Sequence, residues 1–340
     1  MTRVAPTRVI DTHSHYVPGE VVRDARRGTA VDGVSSVTKD GVEWLVHRQG
    51  FRYPVPASFH DLEARLQFMD EQGTDQAVIS ISPTLYCYWV DAAEAIEFCA
   101  MANESMARSA ADSGGRLVAA ATLPMQDPEA SVTELHRAVR EVGMCAVEIA
   151  PSIEGRPLDD PALRPVLAAA NELHVPVLMH SSPFEPRPDN LREFYLNNLI
   201  GNPLATTTGA ARLIFSGILD ELPDLSVVLV HGGGYLPYQI GRLDHGHKVR
   251  SETKGCAMTP SAYLPRFVYD TITHAPVPLR FLVDLVGADH VVYGTDFAYD
   301  MGGGSFVDQV EGAGLDTDEL EQVGWRTAAD LFAIEPAATV

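Results

Sequence analysis

Eight short runs of β-forming residues, each followed by a helical stretch, restrict the fold of this chain more than any other feature. Most of the runs are continuously apolar, which is typical of parallel strands that helices cover. Eight such units predict a closed (β/α)8 barrel, with a doubly wound open sheet as the alternative. The predicted strands are residues 8–17, 75–82, 117–125, 145–152, 175–182, 226–233, 266–272 and 290–297.

The helical stretches carry recognisable end signals. Several begin with Asp or Asp-Pro and end with Gly, as in DPEASVTELHRAVREVG at residues 127–143. This asymmetry is typical of helix caps. At 340 residues the chain has the length of a single barrel with insertions, so we expect one domain over residues 1–340.

The segment 19–58 does not fit the strand–helix repeat. Within it, VSSVTKDGVEWLVHRQGFRYPV alternates around the turn KDG, which predicts a β-hairpin inserted after the first strand. A second, proline-rich excursion, SPFEPRPDNLREFYLNNLIGNP, follows the fifth strand. Because loops after barrel strands lie on the catalytic face, both excursions are expected to form walls of a pocket.

The formal net charge of −21 argues against two classes of partner. Nucleic-acid backbones and anionic membranes both require a basic surface, so neither is expected to bind. The four cysteines form no CxxC pair, the N-terminus lacks the apolar segment of a signal peptide, and no apolar run approaches the length of a membrane span. These features predict a soluble, cytoplasmic protein with reduced thiols.

Histidines stand at the ends of three predicted strands. VIDTHSH ends with His13 and His15, VPVLMH ends with His180, and VVLVH ends with His231. In a strand, residues i and i+2 point the same way, so the first pair would direct two imidazoles at one point. A second His-x-His, at residues 245–247, is interpreted as a solvated helix end, because i and i+2 diverge on a helix.

The strand ends together predict a metal site. A lone histidine at a strand end is most simply a hydrogen-bonded residue, but three such positions and Asp296 in YGTDF favour a shared ligand set. Three or four nitrogen and oxygen ligands with an open position suit a catalytic divalent ion. We expect Zn²⁺, with Mn²⁺ or Fe²⁺ as alternatives. The other polar residues at strand ends are Asp11, Glu148 and Asp270.

These motifs resemble the amidohydrolase superfamily and, within it, the branch of the aminocarboxymuconate-semialdehyde decarboxylase. The resemblance extends over nearly the whole chain, and its most specific parts are the strand-end histidines and GTD in the expected order. The segments that carry it are IDTHSH, FRYPV, LEARLQFMDEQGTDQAV, GMCAVEI, VPVLMH, IFSGILDELPDLSVVLVHGGG, IGRLD, RFVYDT and VVYGTDF.

The resemblance implies a role for each candidate residue. His231 would act as acid and base on the metal-bound water, and Arg52 and Arg250 would bind substrate carboxylates. The second arginine would come from a neighbouring subunit, which implies a homodimer. Glu148 would orient a ligating histidine; bridging a second metal is the alternative, and the lack of a lysine on strand four favours one metal. The implied metal ligands are His13, His15, His180 and Asp296.

Three departures from the decarboxylase pattern surround the predicted pocket. SSPFEPRPDN after His180 does not match the HPW segment, and Phe194 stands where a substrate-contacting tryptophan is expected. GTDFAYD lacks the proline that follows the aromatic residue. We therefore expect the metal chemistry to be retained and the substrate to differ.

Three functions are compatible with these residues. The first is decarboxylation of a small aromatic or muconate-like carboxylic acid through a metal-activated water, which the two arginines favour. The second is hydrolysis of a lactone, amide or thioester, or hydration, on the same scaffold. The third, a binding or regulatory barrel without activity, is disfavoured because every ligand type is retained at its expected strand.

Overall fold

The structure is a computed structural model that describes residues 5–335, so the predicted domain range of 1–340 extends beyond it at both ends. Eight parallel strands form one sheet in the order β1-β5-β6-β7-β10-β11-β12-β13. The strands are β1 Ile10–Tyr16, β2 Ser35–Lys39, β3 Val42–Val46, β4 Arg52–Pro54, β5 Gln76–Ile81, β6 Leu117–Ala121, β7 Ala146–Ile149, β8 Ser152–Ile153, β9 Arg156–Pro157, β10 Val177–Met179, β11 Val227–Leu229, β12 Phe267–Asp270 and β13 Val291–Val292.

Backbone hydrogen bonds join the first part of the sheet to the last and close the barrel. Thr12 N donates to Tyr293 O at 2.9 Å, and His15 N donates to Phe297 O at 2.7 Å. Ser14 and Phe297 form a parallel bridge just beyond β13. The predicted (β/α)8 barrel is therefore confirmed, and the open-sheet alternative is wrong.

Helices follow the barrel strands and cover the sheet. Asp61 and Asp127 cap their helices by accepting hydrogen bonds from Ala64 N and Ala130 N, as the sequence pattern predicts. The helices are α1 Gly19–Arg27, α2 Leu62–Gln72, α3 Ala92–Asp112, α4 Pro128–Arg137, α5 Arg164–Leu173, α6 Leu196–Leu199, α7 Gly201–Phe215, α8 Ile218–Glu221, α9 Leu236–Val249, α10 Pro276–Val286, α11 Phe306–Val310, α12 Thr317–Glu321 and α13 Thr327–Phe332.

The apolar core occupies the space between barrel and helices and also one part of the barrel itself. Seven barrel strands contribute side chains to a second cluster that packs against Ala328 and Phe332 of α13. Because apolar residues fill these positions, the polar side chains of the strands collect at the carboxyl ends, where catalytic residues of this fold lie.

Several strands are shorter than predicted, and the difference has a functional reason. β10, β11 and β13 end before the polar residues that were assigned to them. His231 and Asp296 have φ of +58° and +55°, so the backbone leaves the strand at each of them. These turns lie two residues after the end of β11 and four residues after the end of β13, and both side chains border the cavity at the mouth of the barrel.

The insertion after β1 contains more structure than the predicted hairpin. β2 and β3 pair antiparallel around Asp40 and Gly41, as expected, and β4 adds a third strand to β3. A helix, α1, precedes the sheet and ends at Gly28 with a left-handed backbone. This helix was not predicted, because its nine residues carry no Ser, Thr, Asp or Asn cap at Pro18.

Within residues 5–335 the structure gives the bonding state of the cysteines and the lengths of the helices. The four cysteines are free thiols, and Cys145 alone among them is partly exposed. Within residues 5–335, no helix combines the length and the apolar character needed to cross a bilayer.

Candidate metal centre

His13 and His15 lie on β1, every residue of which is buried. Their rings are 5.1 Å apart between centroids, and the ring of His180 lies 5.0 Å from one and 4.9 Å from the other. His180 directly follows β10, which reaches the same end of the barrel. Parallel strands thus bring three imidazoles to one point, as their spacing in the sequence predicts.

Asp296 completes a four-residue group of buried side chains. One candidate ligand atom from each of His13, His15, His180 and Asp296 lies within 4.8 Å of all the others. Asp296 Oδ1 lies 3.1 Å from His15 Nε2 and 3.5 Å from His13 Nε2. A cluster of this size and chemistry suits a divalent cation with nitrogen and oxygen ligands.

Each imidazole is held through Nδ1, which directs Nε2 toward the centre. His13 Nδ1 lies 2.7 Å from Asp270 Oδ2, and His180 Nδ1 lies 2.8 Å from Ser181 O. His15 Nδ1 lies 3.2 Å from Ser80 Oγ. Metal-ligating histidines in proteins are oriented by such partners on the nitrogen that does not bind the metal.

The nitrogens that face the centre fit a metal ion. Among the described residues, His13 Nε2 and His180 Nε2 are buried and have no hydrogen-bond partner. Buried polar atoms in native proteins are almost always satisfied, so two such nitrogens beside a buried carboxylate are suited to bind a cation. The residues present therefore fit the metal that the sequence predicts.

The protonation of Asp296 and of His180 depends on burial and on the neighbouring histidines. Burial raises the pKa of Asp296, but the charge of His13 and the hydrogen bond from His15 outweigh it and hold that pKa well below its ordinary value. Burial and the neighbouring His15 keep the pKa of His180 well below its ordinary value. A carboxylate that stays ionised and an imidazole that stays neutral are the forms that bind cations.

Asp270, at the end of β12, anchors the centre from behind. Its two oxygens accept hydrogen bonds from His231 N at 2.9 Å and Gly232 N at 2.7 Å, in addition to the contact with His13. Burial opposes ionisation, but the hydrogen bond with His13 lowers the pKa of Asp270. The sequence predicts Asp270 at a strand end but gives it no role. The signal that could have identified its role is a carboxylate at the end of a strand beside three strands that end in histidine.

Arg65 is a second supporting residue that sequence reasoning missed. Although it lies on α2, it is 1% exposed, and its guanidinium donates to Ser14 Oγ at 2.7 Å and to His15 O. The ring of Phe297 lies 4.6 Å from the guanidinium carbon. The available signal was the spacing of Arg65 and Met69, which are four residues apart and therefore lie on the same, buried face of α2.

His231 borders the metal centre without belonging to the four-residue group. Its Nε2 lies 3.6 Å from Asp296 Oδ2, and its side chain is 14% exposed to the adjoining cavity. Nδ1 has no hydrogen-bond partner among the described residues. A partly exposed imidazole beside a ligating carboxylate can exchange protons with a bound molecule.

Glu148, on β7, is fully buried behind the ligands. Its Oε1 lies 3.9 Å from His15 Nδ1, which is beyond hydrogen-bond distance. Burial raises the pKa of Glu148 to about 8. The carboxyl group stands outside the four-residue cluster, on the Nδ1 side of His15.

Two cavities meet at the centre. We call them the polar lobe, of about 320 Å³, and the apolar lobe, of about 630 Å³. Both lobes contact Asp296, Asn198 and Asn202; the polar lobe reaches His180 and the apolar lobe reaches His231. The excursion after β10 supplies the walls that the two lobes share, and Phe51 of the insertion borders the polar lobe, as expected from their positions after barrel strands.

The three candidate substrate-binding residues do not line either lobe. Arg52 is exposed on β4, where Tyr53 is the buried residue, and Arg250 is exposed beyond α9 and pairs with Glu252 at 2.6 Å. Phe194 is 82% exposed, and the next residue, Tyr195, lines the polar lobe instead. Arg192 of the same excursion also lines that lobe.

Comparison with known proteins identifies similar chains. A family profile described as Amidohydrolase matches residues 10–334. The chain is 32% identical over 253 residues to the 2-amino-3-carboxymuconate-6-semialdehyde decarboxylase of Dictyostelium discoideum, covering 73% of this chain and 69% of the relative. It is 30% identical over 260 residues to a gamma-resorcylate decarboxylase of Rhizobium sp., covering 70% of this chain and 77% of the relative.

A solved structure has the same fold. It is a variant of 5-carboxyvanillate decarboxylase from Novosphingobium aromaticivorans with bound manganese and 3-methoxy-4-hydroxy-5-nitrobenzoic acid. The TM-score is 0.80 at 24% identity, and the match covers 96% of this chain and 97% of that one. The similarity therefore extends over the barrel as a whole.

Proposed function

The chain belongs to the amidohydrolase family, and from that premise we propose that it is a metal-dependent decarboxylase of a small aromatic or muconate-like carboxylic acid. The observation that carries the proposal is the buried group of three imidazoles and one carboxylate that opens into a two-lobed cavity. The relatives that are named as decarboxylases of such acids support the choice of reaction.

A single divalent ion would be held by the four ligands and would supply Lewis-acid chemistry when bound, polarising oxygen atoms of the substrate and of water. The sequence favours Zn²⁺, whereas the manganese in the solved neighbour supports Mn²⁺ equally, since both accept nitrogen and oxygen ligands. The ligands are His13, His15, His180 and Asp296.

Cleavage requires a proton at the carbon that loses the carboxylate. His231 Nε2, which borders the apolar lobe, is the proposed donor of that proton. A π electron pair of the substrate forms the new C–H bond with that proton; the carbon–carbon bond then breaks, its electron pair restores the π system, and the carboxylate leaves as CO2. Asp296 Oδ2 lies 3.6 Å from this Nε2, so its negative charge faces the imidazole that carries the proton.

The substrate carboxylate needs a cation, because the chain has a net charge of −21 and the carboxylates of Asp270 and Asp296 lie at the centre. Among the described residues that line the two lobes, Arg192 is the sole arginine or lysine. Arg52 and Arg250 stay candidates for this role. Arg250 would have to come from a second subunit, and Arg52 would reach the site through a movement of the insertion. A homodimer and a cytoplasmic location likewise stay predictions from the sequence.

The test is a turnover assay on the purified, metal-analysed protein. 2,6-Dihydroxybenzoate, 5-carboxyvanillate and aminocarboxymuconate semialdehyde would be supplied in water labelled with ¹⁸O, and CO2, ring products and label would be followed by mass spectrometry. We expect stoichiometric CO2 and a product that carries deuterium at the vacated carbon in D2O. Products that contain solvent oxygen without CO2 would instead indicate a hydrolase.

Two variants separate metal binding from proton transfer. His180→Ala should lose most of the bound metal, whereas His231→Ala should keep more metal and still lose at least about 10²-fold in turnover. His245→Ala, on the exposed side of α9, is the matched control and should change neither. Full turnover in His231→Ala would contradict its role as proton donor.

A further inference from the structure

The apolar lobe is larger than the proposed chemistry needs. A single-ring acid at the metal centre would contact His180, Asp296 and Arg192 in the polar lobe of about 320 Å³ and His231 at the inner end of the apolar lobe. The apolar lobe adds about 630 Å³ on the other side of Asp296. Cavities of about 300–1,000 Å³ take ligands of drug size, so the two lobes together exceed one ring.

One side of the apolar lobe is lined by hydrocarbon. α10 contributes Val277, Phe281 and Leu282, and α9 contributes Tyr238, whose ring lies 6.4 Å from that of Phe281. Among the described lining residues of this lobe, Asp296 is the sole carboxylate, and no lysine or arginine is present. Asn198, Asn202, Thr273 and His274 also line the lobe, so the hydrocarbon surface is concentrated on the side formed by α9 and α10.

The lobe is continuous with the reacting centre and is not a separate surface groove. His231 and Asp296 form its inner end, while Tyr238 and Val277 are 78% and 77% exposed at its outer end. A ligand bound at the metal centre therefore has an open apolar path leading away from the carbon that is protonated by His231.

We propose that the substrate carries an apolar substituent, an alkyl or aryl chain, that occupies the apolar lobe while its carboxylated ring lies at the metal centre. This inference rests on the proposed function and specifies its substrate class as an amphipathic aromatic acid. Burial of each added methylene in the lobe increases the stabilisation of the bound state, which corresponds to about 3- to 4-fold in affinity or kcat/KM.

The experiment uses a series of 2,6-dihydroxybenzoates with hydrogen, methyl, propyl or pentyl at ring position 4 or 3. kcat/KM of the full-length, metal-loaded enzyme should rise along the series at one of the two positions. The binding constants of the corresponding decarboxylated phenols, measured by calorimetry, should rise in parallel. Equal kcat/KM and equal binding for all chain lengths at both positions would overturn the inference.

The variant Val277→Trp places an indole in the lobe, and Leu285→Trp, on the same helix but outside the lobe, is the matched control. Val277 is exposed, so the substitution is expected to leave the fold intact. It should abolish the gain from longer chains, so that kcat/KM no longer rises from the unsubstituted acid to the pentyl acid. Leu285→Trp should retain the gain.

The outcomes separate this inference from the proposed function. If the acids are decarboxylated but chain length has no effect, the proposed function holds and the inference of an apolar substituent is wrong. If the phenols bind more tightly as the chain lengthens but no acid is decarboxylated, the inference of an apolar substituent holds and the proposed decarboxylase function is wrong. If chain length has no effect and Val277→Trp changes the molecular mass in light scattering, a second copy of the chain covers the lobe and the inference is wrong.

Discussion

At the scale of residues, Asp270 fixes two functional groups at once. Its carboxylate orients the imidazole of His13 and holds the backbone of His231 and Gly232 where the chain leaves β11. Loss of one acceptor would thus disturb both a metal ligand and the proposed proton donor. No pattern in the sequence specifies which histidine a strand-end carboxylate will contact, so this link emerges only from the three-dimensional arrangement.

We predict that Asp270→Asn lowers metal affinity by about 10- to 100-fold, as expected for a residue that orients a metal-ligating histidine. The asparagine retains the size of the side chain but cannot supply two anionic acceptors. The measurement is competition with a chromophoric chelator on the purified protein. Asp289→Asn, at an exposed position, is the control; equal metal affinity in both variants would contradict the orienting role.

Arg192 gives a second prediction at this scale. Its side chain is exposed, lines the polar lobe and pairs with Asp189 at 2.7 Å, so an incoming carboxylate can replace that partner. Arg192→Ala should raise KM by at least about 10-fold with a smaller change in kcat, and Arg192→Lys should recover only part, because lysine cannot make a paired contact.

The control for Arg192 is Arg140→Ala, which removes an exposed arginine that pairs with Glu172 far along the chain. Steady-state kinetics with the best substrate of the proposed series provide the measurement. An unchanged KM in Arg192→Ala would leave carboxylate recognition to Arg52 and Arg250, as the sequence resemblance implies.

At the scale of elements, the sequence predicted which segments form the barrel but not where each strand ends. Apolar runs and Asp or Gly caps are local signals, and they located all eight barrel strands. The ends of β11 and β13 depend on left-handed backbone at His231 and Asp296, which tertiary contacts impose. The third strand of the insertion, β4, likewise depends on its pairing with β3 rather than on its own three residues.

The insertion docks on the barrel through an aromatic cluster around His47. The imidazole is 2% exposed, stacks on Tyr53 with ring centroids 5.7 Å apart, and lies 5.4 Å from the ring of Phe184 in the excursion after β10. Among the described residues, neither ring nitrogen has a hydrogen-bond partner. Burial lowers the pKa of His47 to about 4, against a smaller opposing effect of Asp32.

This cluster predicts an acid sensitivity of the fold. The unfolded chain binds a proton at His47 near pH 6.5 and the folded chain near pH 4, so stability is lost as pH falls through that window. Between pH 7 and pH 5 the loss should be about 2 kcal/mol in the free energy of unfolding. His47→Phe should lack this component.

Urea unfolding of both proteins at pH 7 and pH 5 provides the measurement, with His245→Phe, at an exposed position, as the control. The wild type and the control should lose the same amount of stability on acidification, and His47→Phe should lose less. Equal losses in all three proteins would show that His47 does not titrate with folding.

At the scale of the whole molecule, the sequence predicted the grouping of three histidines and Asp296 better than the shape of the cavities around them. His13, His15, His180 and Asp296 could be grouped because strand ends of a parallel barrel converge. The two lobes could not be predicted, because their shape depends on how α6, α9 and α10 pack over the barrel mouth. The candidates Arg52 and Arg250 were taken from motifs, and their positions in the single chain lie outside both lobes.

The predicted dimer leads to a test by complementation. If Arg250 of one subunit serves the site of the other, Arg250→Ala and His231→Ala should each be inactive alone. After equal mixing and subunit exchange, about a quarter of the sites would contain both residues, and about that share of activity should return. Mass photometry or a tagged subunit would verify exchange; no activity despite exchange would contradict a shared site.

The closure of the barrel sets the order in which the metal site can arise during biosynthesis. His15 and Asp296 meet in one hydrogen bond although 281 residues separate them. At a synthesis rate of roughly 5–20 residues per second, about 15–55 s pass between the emergence of these two ligands from the ribosome. A nascent chain therefore cannot assemble all four ligands until its last barrel strand has been made, and a prematurely terminated product would be left without the complete set.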